Sequence, residues 1–241
     1  MTRLAKQLDP VGHAPRGVVG TVHGPESLQA ALRLKPGEVD LLELRIDGFP
    51  GTESALLTSA RRLRFPLIVT VRSPEEGAAH PLPLAARAEW YHRFLEVASA
   101  VDLELSSLPA LRAVAEEARR QHIGVILSMH DFSTTPTLGR LQSLAARASR
   151  LGADVFKCAT WLRTPSDFYV LHRLVAAGAV PIPVAAMGMG SQAPASRLLL
   201  GTAGSALTYG YLDRPNAPGQ IAATLIKPLL ELLSAAGNVP E

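Results

Sequence analysis

Short apolar runs rich in Val, Ile and Leu recur along the chain, and stretches of helical length separate them. The runs predict strands at 17–22, 41–45, 67–71, 101–104, 124–129, 155–159, 182–186 and 206–209. The stretches between them predict helices, among them 25–34, 85–98, 111–120, 138–150, 166–177, 195–200 and 221–235. Strands alternating with helices imply βαβ units and a parallel sheet. Eight such units in 241 residues favour an α/β fold closed as a single-domain (β/α)8 TIM barrel over 17–241. An open doubly wound sheet is the competing architecture, but no Gly-x-Gly-x-x-Gly follows the first strand. Residues 1–16 carry charges and prolines without an apolar run, so they predict a loose tail and no signal peptide. No apolar run reaches the roughly 18 residues that a membrane span needs.

In such a barrel reactive groups belong at the C-terminal ends of the strands, so polar residues there matter most. Along a strand, residues two apart share a face. In the second strand Glu43 and Arg45 share the face opposite Leu42, Leu44 and Ile46. A charged pair on the inner face is costly unless paired or used. It reads either as an ion pair filling the barrel or as a ladder that binds hydroxyls. In the third, Thr70 and Arg72 share a face, and Glu76 in the following loop can reach back over the mouth. In the fifth, Ser128 and His130 share a face at the strand's end, where a histidine can exchange protons near neutral pH. The other six histidines lack this placement. In the sixth, Val155, Lys157 and Ala159 point one way, with Phe156 and Cys158 against the helices. A lysine inside a barrel loses hydration, and its neutral amine can attack a carbonyl to form an imine. It can equally serve only to hold an anion. Met187 and Met189 alternate inward as an apolar wall or as ordinary core, and Arg197 suits bidentate capture of a carboxylate.

Composition sharpens one of these candidates. The chain has 20 Arg and only 4 Lys, and only Lys157 lies inside an apolar strand-like run. The net charge is +3, and the basic residues are scattered without interleaved aromatics, so nothing predicts a nucleic-acid partner. The single cysteine, Cys158, excludes an internal disulfide and makes a cysteine zinc site improbable; it suits a reducing cytoplasm.

Six motifs occur in order between Gly17 and Gln220. They are Glu43-Leu44-Arg45-Ile46-Asp47; Thr70-x-Arg72 with Glu76-Gly77; and Ser128-x-His130-Asp131-Phe132 with Thr135-Pro136. Then come Gly152-Ala153-Asp154-x-x-Lys157, Ser196-Arg197 and Ala217-Pro218-Gly219-Gln220. Together they resemble type I 3-dehydroquinate dehydratase, the Schiff-base enzyme of the shikimate pathway. The resemblance implies dehydration of 3-dehydroquinate to 3-dehydroshikimate, with no metal or organic cofactor, by a cytoplasmic homodimer. It implies that Lys157 forms the imine, that His130 moves the protons and that Glu76 orients His130. It further implies that Glu43, Arg45 and Arg72 hold ring hydroxyls and that Arg197 and Gln220 clamp the carboxylate. Thr21 takes the place of a small hydroxyl residue, and Met187 and Met189 wall the imine. The chain departs from the family's pattern at Ala78, where a second glycine is common, and at Ala193 and Pro194. It departs also at Asn216, where a serine often meets the substrate. The alternatives are another imine-forming barrel lyase or aldolase, which would want a phosphate site near Gly201 and Gly204, and a non-catalytic barrel.

Overall fold

The computed structural model describes residues 2, 4, 17–176, 179–217 and 219–236. Eight strand–helix units follow one another. The strands are β1 (Gly17–Val22), β2 (Leu41–Arg45), β3 (Leu67–Thr70), β4 (Ala98–Glu104), β5 (Gly124–Asp131), β6 (Val155–Trp161), β7 (Val184–Met189) and β8 (Leu207–Tyr211). The helices that follow each in turn are α1 (Pro25–Arg33), α2 (Glu53–Ala60), α3 (Leu84–Phe94), α4 (Arg112–Arg120), α5 (Leu138–Arg150), α6 (Pro165–Val175), α7 (Ala193–Ala203) and α8 (Ala223–Ala236). All ladder pairings are parallel, in the order β7-β6-β5-β4-β3-β2-β1-β8. The remaining seam, between β7 and β8, is closed by other means. Ala206 N donates to Val184 O at 2.7 Å, and Ala186 N donates to Ser205 Oγ at 3.0 Å. The result is the barrel that the alternation predicts, not the open sheet.

Period-two patterning separates two apolar layers. Leu42, Leu44, Val101, Leu103, Phe156 and Cys158 face the helices, whereas Val19, Leu41, Ile68, Ala100, Ile126 and Val155 fill the lower barrel. The helices close on this sheet through narrow stripes. In α4 the buried positions are Val114, Ala115 and Ala118, with arginines and glutamates outside. Helix starts are chemically marked. Asp167 Oδ2 accepts from the backbone N of both Arg163 and Thr164 at 2.8 Å, with Pro165 next, and Thr137 Oγ1 accepts from Arg140 N at 3.3 Å.

Several boundaries shift from the patterned expectation: β5, β6 and β8 end two residues later, and β7 spans Val184–Met189 rather than 182–186. Three further departures have a plain cause. The α-helix ends at Phe94 and tightens to a 3-10 turn over Leu95–Val97, and β4 begins at Ala98, because Ala98 and Ala100 pair with Leu67 and Ile68 across a bulge. Small alanines carry little preference of their own, so strand pairing decides. The pattern over 53–60 does not single out a helix, because α2 buries only Leu56 and Ala60. Of the segment predicted as a loose tail, Thr2 and Leu4 are described, and at these positions the chain is packed. Leu4 is fully buried in the barrel floor, and its Cβ lies where a Cβ on Gly124 would come within 2.5 Å. Thr2 Oγ1 donates to Asp154 Oδ1 at 3.1 Å. The rest of 1–16 lies outside the described residues, as do Ala177 and Pro218. Among the described residues no helix is long and apolar enough to cross a membrane.

Candidate active site

The C-terminal ends of the strands surround a cavity of about 280 Å³. Lys157, His130, Glu76, Thr21, Glu43, Arg45, Arg72, Met187, Met189, Arg197, Asn216 and Gln220 all line it. Parallel strands make this convergence possible, because every strand delivers its last inward residue to the same end.

Lys157 projects from β6 into the barrel and is 3% exposed. Its surroundings are more charged than an apolar strand suggests. Nζ donates to Asp102 Oδ2 at 2.7 Å and to Glu43 Oε1 at 3.0 Å. Below it lies a buried network that joins Arg72 and Ser128 to Asp102, Glu104 and Arg87, three residues that the sequence reading does not single out. Arg72 Nη2 donates to Asp102 Oδ2 at 3.0 Å, and Arg72 Nη1 donates to Glu104 Oε1 at 3.1 Å and to Ser128 Oγ at 2.9 Å. Ser128 Oγ donates to Asp102 Oδ1 at 2.6 Å, Ser73 N donates to Glu104 Oε1 at 2.8 Å, and Arg87 Nη2 donates to Glu104 Oε2. Burial alone would push the Asp102 carboxyl up, but the cations Arg72 and Lys157 outweigh it and hold Asp102 well below the usual carboxylate range. Asp102 is therefore a fixed counter-ion. Thr70 Oγ1 donates to Glu43 Oε1 at 3.1 Å.

Arg45 shares the inner face with Glu43, yet its ion-pair partner is Asp47. Its Nε and Nη2 donate to the two Asp47 oxygens at 2.9 and 2.6 Å, and Nη2 also reaches Gly77 O at 3.0 Å. Asp47 further accepts from Ala79 N at 2.9 Å and from Arg72 N at 3.2 Å. Arg45 thus ties the loop after β3 down over the mouth. Gly77 turns that loop with φ +90°, and Phe132 leaves no room there for a Cβ, which would sit 2.8 Å from its ring.

The same loop brings in Glu76. Its Oε2 lies 2.9 Å from His130 Nδ1 and accepts from His130 N at 3.0 Å, while Oε1 accepts from Ser106 Oγ at 2.8 Å. Burial raises the Glu76 carboxyl to about 7, against the opposing pull of the Ser106 hydrogen bond and the Arg72 charge. His130 is pushed well below the usual imidazole range by burial first, then by the charges of Arg72 and Lys157. The imidazole is accordingly neutral near neutral pH. When ionised Glu76 accepts the Nδ1 proton, Nε2 keeps its lone pair, and Nε2 has no hydrogen-bond partner among the described residues. Phe132 stacks beside His130 with ring centroids 6.4 Å apart.

The opposite wall is different in kind. Arg197 comes from α7 and is 3% exposed, but no carboxylate pairs with it among the described residues. Nη1 donates to Tyr209 O at 3.2 Å, and Nε has no partner among the described residues. Burial lowers its pKa to about 10, so it stays charged at neutral pH. An unpaired buried guanidinium beside a cavity is costly, and an anion in the cavity would relieve it. Thr21 Oγ1 and Asn216 Oδ1 are likewise buried without partners among the described residues, and Gln220 Oε1 accepts from Asn216 N at 2.9 Å. The wall can therefore hold an anionic molecule bearing hydroxyls. Gly201 does not contribute a phosphate site. It lies inside α7 against Leu230, and Gly204 ends that helix with φ +117°. Cys158 faces the helices, and burial pushes its thiol up to about 12, so it acts as a small apolar residue. Among the described residues no cluster of three His, Cys, Asp or Glu could hold a metal ion.

Asp102, Glu104, Ser106 and Tyr209 complete the site beyond the residues named from sequence, and Phe132, named there only within a motif, packs beside His130. A signal for the two acids existed, since Val101-Asp102-Leu103-Glu104-Leu105 alternates just as the second strand does.

The chain is similar in sequence and fold to known proteins. Residues 21–236 match the family described as type I 3-dehydroquinase. The 3-dehydroquinate dehydratase of Thermococcus onnurineus is 34% identical over 217 residues, covering 90% of this chain and 98% of that protein. That of Latilactobacillus sakei is 36% identical over 211 residues, covering 81% and 84%. The type I 3-dehydroquinate dehydratase of Clostridium difficile, solved with covalently modified comenic acid, superposes with a TM-score of 0.82 at 26% identity, covering 91% of this chain and 92% of that one. On the strength of this match the chain belongs to the type I 3-dehydroquinase family.

Proposed function

We propose that the protein dehydrates 3-dehydroquinate to 3-dehydroshikimate through an imine at Lys157. One observation carries the reading: a buried lysine, a histidine with a free Nε2 and an unpaired buried arginine line a single cavity. The relatives named above supply the substrate's identity, and the site's chemistry supplies the path.

Arg197 and Gln220 take the substrate carboxylate, while Thr21, Glu43, Arg45, Arg72 and Asn216 serve its hydroxyls. Lys157 must lose a proton before it attacks. Asp102 is held ionised, so Glu43, 3.0 Å from Nζ, is the acceptor within reach. The amine adds to the ketone carbon, and the carbinolamine hydroxyl leaves as water with the proton returned by Glu43, which forms the iminium. His130 Nε2 then removes a proton from the carbon between the iminium and the carbinol centre. The electron pair moves into the iminium to give an enamine. The enamine returns that pair, and the β-hydroxyl departs as water with the proton from His130. Hydrolysis of the conjugated imine releases the enone and restores Lys157. Met187 and Met189 wall the imine on its apolar side. Lys157 supplies the electron sink, so the path calls on no metal or organic cofactor.

Arg197→Leu is expected to lower kcat/KM by about 10- to 150-fold, the range for a lost hydrogen bond to a charged group. Most of the loss should fall on KM, since the carboxylate is held equally before and during reaction. The check is steady-state kinetics by enone absorbance, and an unchanged KM would remove the clamp role. The reading extends to a homodimer and to the cytoplasm, the latter consistent with a lone, buried cysteine. Sedimentation equilibrium should give twice the 25.6 kDa chain mass, and a monomer mass would discard that part.

A further inference from the structure

Tyr209 stands in the middle of β8 with its side chain inside the barrel. The centroid of its ring is 4.0 Å from Lys157 Nζ. It lines the cavity and is 3% exposed, and its hydroxyl is buried without a hydrogen-bond partner among the described residues. A buried phenol ordinarily finds a partner, because an unmet O–H keeps its full desolvation penalty. Phenylalanine would fill nearly the same volume with no such penalty. The group that meets this hydroxyl is therefore to be sought in the cavity. The phenol keeps its proton: burial first, then the charges of Glu43 and Asp102, push its ionisation well above the usual value. It is thus a donor. Glu43 also binds Lys157 Nζ, so the hydroxyl and the reacting nitrogen share one side of the cavity.

We propose that Tyr209 is a further catalytic residue, its ring face carrying the iminium charge at Lys157 and its hydroxyl donating to the substrate hydroxyl beside the ketone. This rests on the reading under Proposed function. Before reaction Lys157 Nζ donates to both Asp102 and Glu43, whereas the protonated imine has one N–H left, so the negative face of the Tyr209 ring, 4.0 Å from Nζ, has more of the charge to carry once the imine forms. Glu43 serves ring hydroxyls in that reading and stands near Tyr209, which assigns to the phenol the substrate hydroxyl beside the imine carbon. No proton or bond is exchanged at Tyr209; it binds and orients.

The test compares the unsubstituted enzyme with Tyr209→Phe and Tyr209→Leu. The substrates are 3-dehydroquinate and its analogue without the hydroxyl beside the ketone. Thermal melts check that each variant folds. Tyr209→Phe should lose about tenfold in kcat/KM on 3-dehydroquinate, the scale of one neutral hydrogen bond. On the analogue it should match the unsubstituted enzyme, a result that a merely structural role would not give. Tyr209→Leu should also slow borohydride capture of the imine by about tenfold, the scale of a desolvated cation–π contact. Equal rates for Tyr209→Phe on 3-dehydroquinate would overturn the hydroxyl's role, as would an equal loss on both substrates. Unchanged capture in Tyr209→Leu would overturn the role of the face. If the unsubstituted enzyme forms no enone from 3-dehydroquinate, the functional reading fails and takes this one with it. If it does, and both variants behave like it, only the inference about Tyr209 fails.

Discussion

Lys157→Ala is expected to reduce turnover of 3-dehydroquinate by at least about 10⁴-fold, the scale seen when a covalent nucleophile is removed. With no amine there is no imine, and the carbon beside the ketone loses its electron sink. Borohydride with substrate should add a reduced adduct to the unsubstituted chain at Lys157 and none to the variant, as read by peptide mass spectrometry. An adduct mapped elsewhere, or none in the unsubstituted chain, would sink the imine route. The substitution also disturbs the fold. Lys157 is a counter-ion of Asp102 and Glu43, and breaking a buried pair costs about 3–5 kcal/mol when nothing replaces it. Arg72 still holds Asp102 at 3.0 Å and lies 4.0 Å from Glu43, so the loss should sit at the low end of that range. Lys157→Met keeps the volume and provides the folded control. A thermal melt on each variant separates lost chemistry from lost structure.

His130→Ala is expected to slow turnover by about 10²- to 10⁴-fold, the usual contribution of a positioned acid–base group. Imine formation needs no proton at that carbon, so borohydride capture should survive. Full activity in this variant would end its proton-transfer role. The pair with Glu76 adds a pH signature. Glu76, raised to about 7, gains a proton as pH falls through that value. The protonated carboxyl then donates to Nδ1, the imidazole proton moves to Nε2, and the base facing the cavity is lost. His130 itself is held well below the usual range, so it is not the group that limits activity first. The rate should therefore fall about tenfold per pH unit below an acid limb near 7. Glu76→Gln keeps an acceptor oxygen at every pH and should flatten that limb. A limb that stays in place in Glu76→Gln would assign it to another group.

The parts of this site that could be read from sequence are those where pattern and chemistry coincide. Lys157 is an odd residue in an apolar run, and the period of two gives its face correctly. The alternation of strands and helices gives the barrel, since no open sheet accommodates the β8–β1 ladder and the β7–β8 seam together. Asp102 and Glu104 are harder to recognise. Acids alternating with Leu and Val look the same on a strand with one wet face, and only closure of the barrel makes those positions interior. Arg45 shows a different difficulty. Its face follows from spacing, but its partner Asp47 sits in the turn just past the strand, where spacing no longer predicts direction. Tyr209 resembles core, and its solitary hydroxyl is visible only when every neighbouring donor and acceptor is in place. Leu4 stands in a short stretch with Met1, Ala5, Leu8 and Val11 as apolar company among charged and polar residues, too little for its spacing to show that it plugs the floor.

The ion network under Lys157 divides the barrel into two halves with different freedom to change. Glu43, Arg72, Asp102, Glu104, Ser128 and Lys157 come from β2 to β6 or their ends, and each leans on at least two of the others or on Thr70, Ser73 or Arg87. A change at any of them strands a buried charge or polar group, so that half is bound to vary in concert or not at all. Arg197, Asn216, Gln220, Thr21 and Tyr209 come from α7, β8, the loop after it and β1, and their polar atoms are largely uncommitted. Substitution there leaves no broken network behind. A laboratory evolution campaign seeking new carbonyl substrates would accordingly place its diversity on the second half and leave the first as inherited machinery.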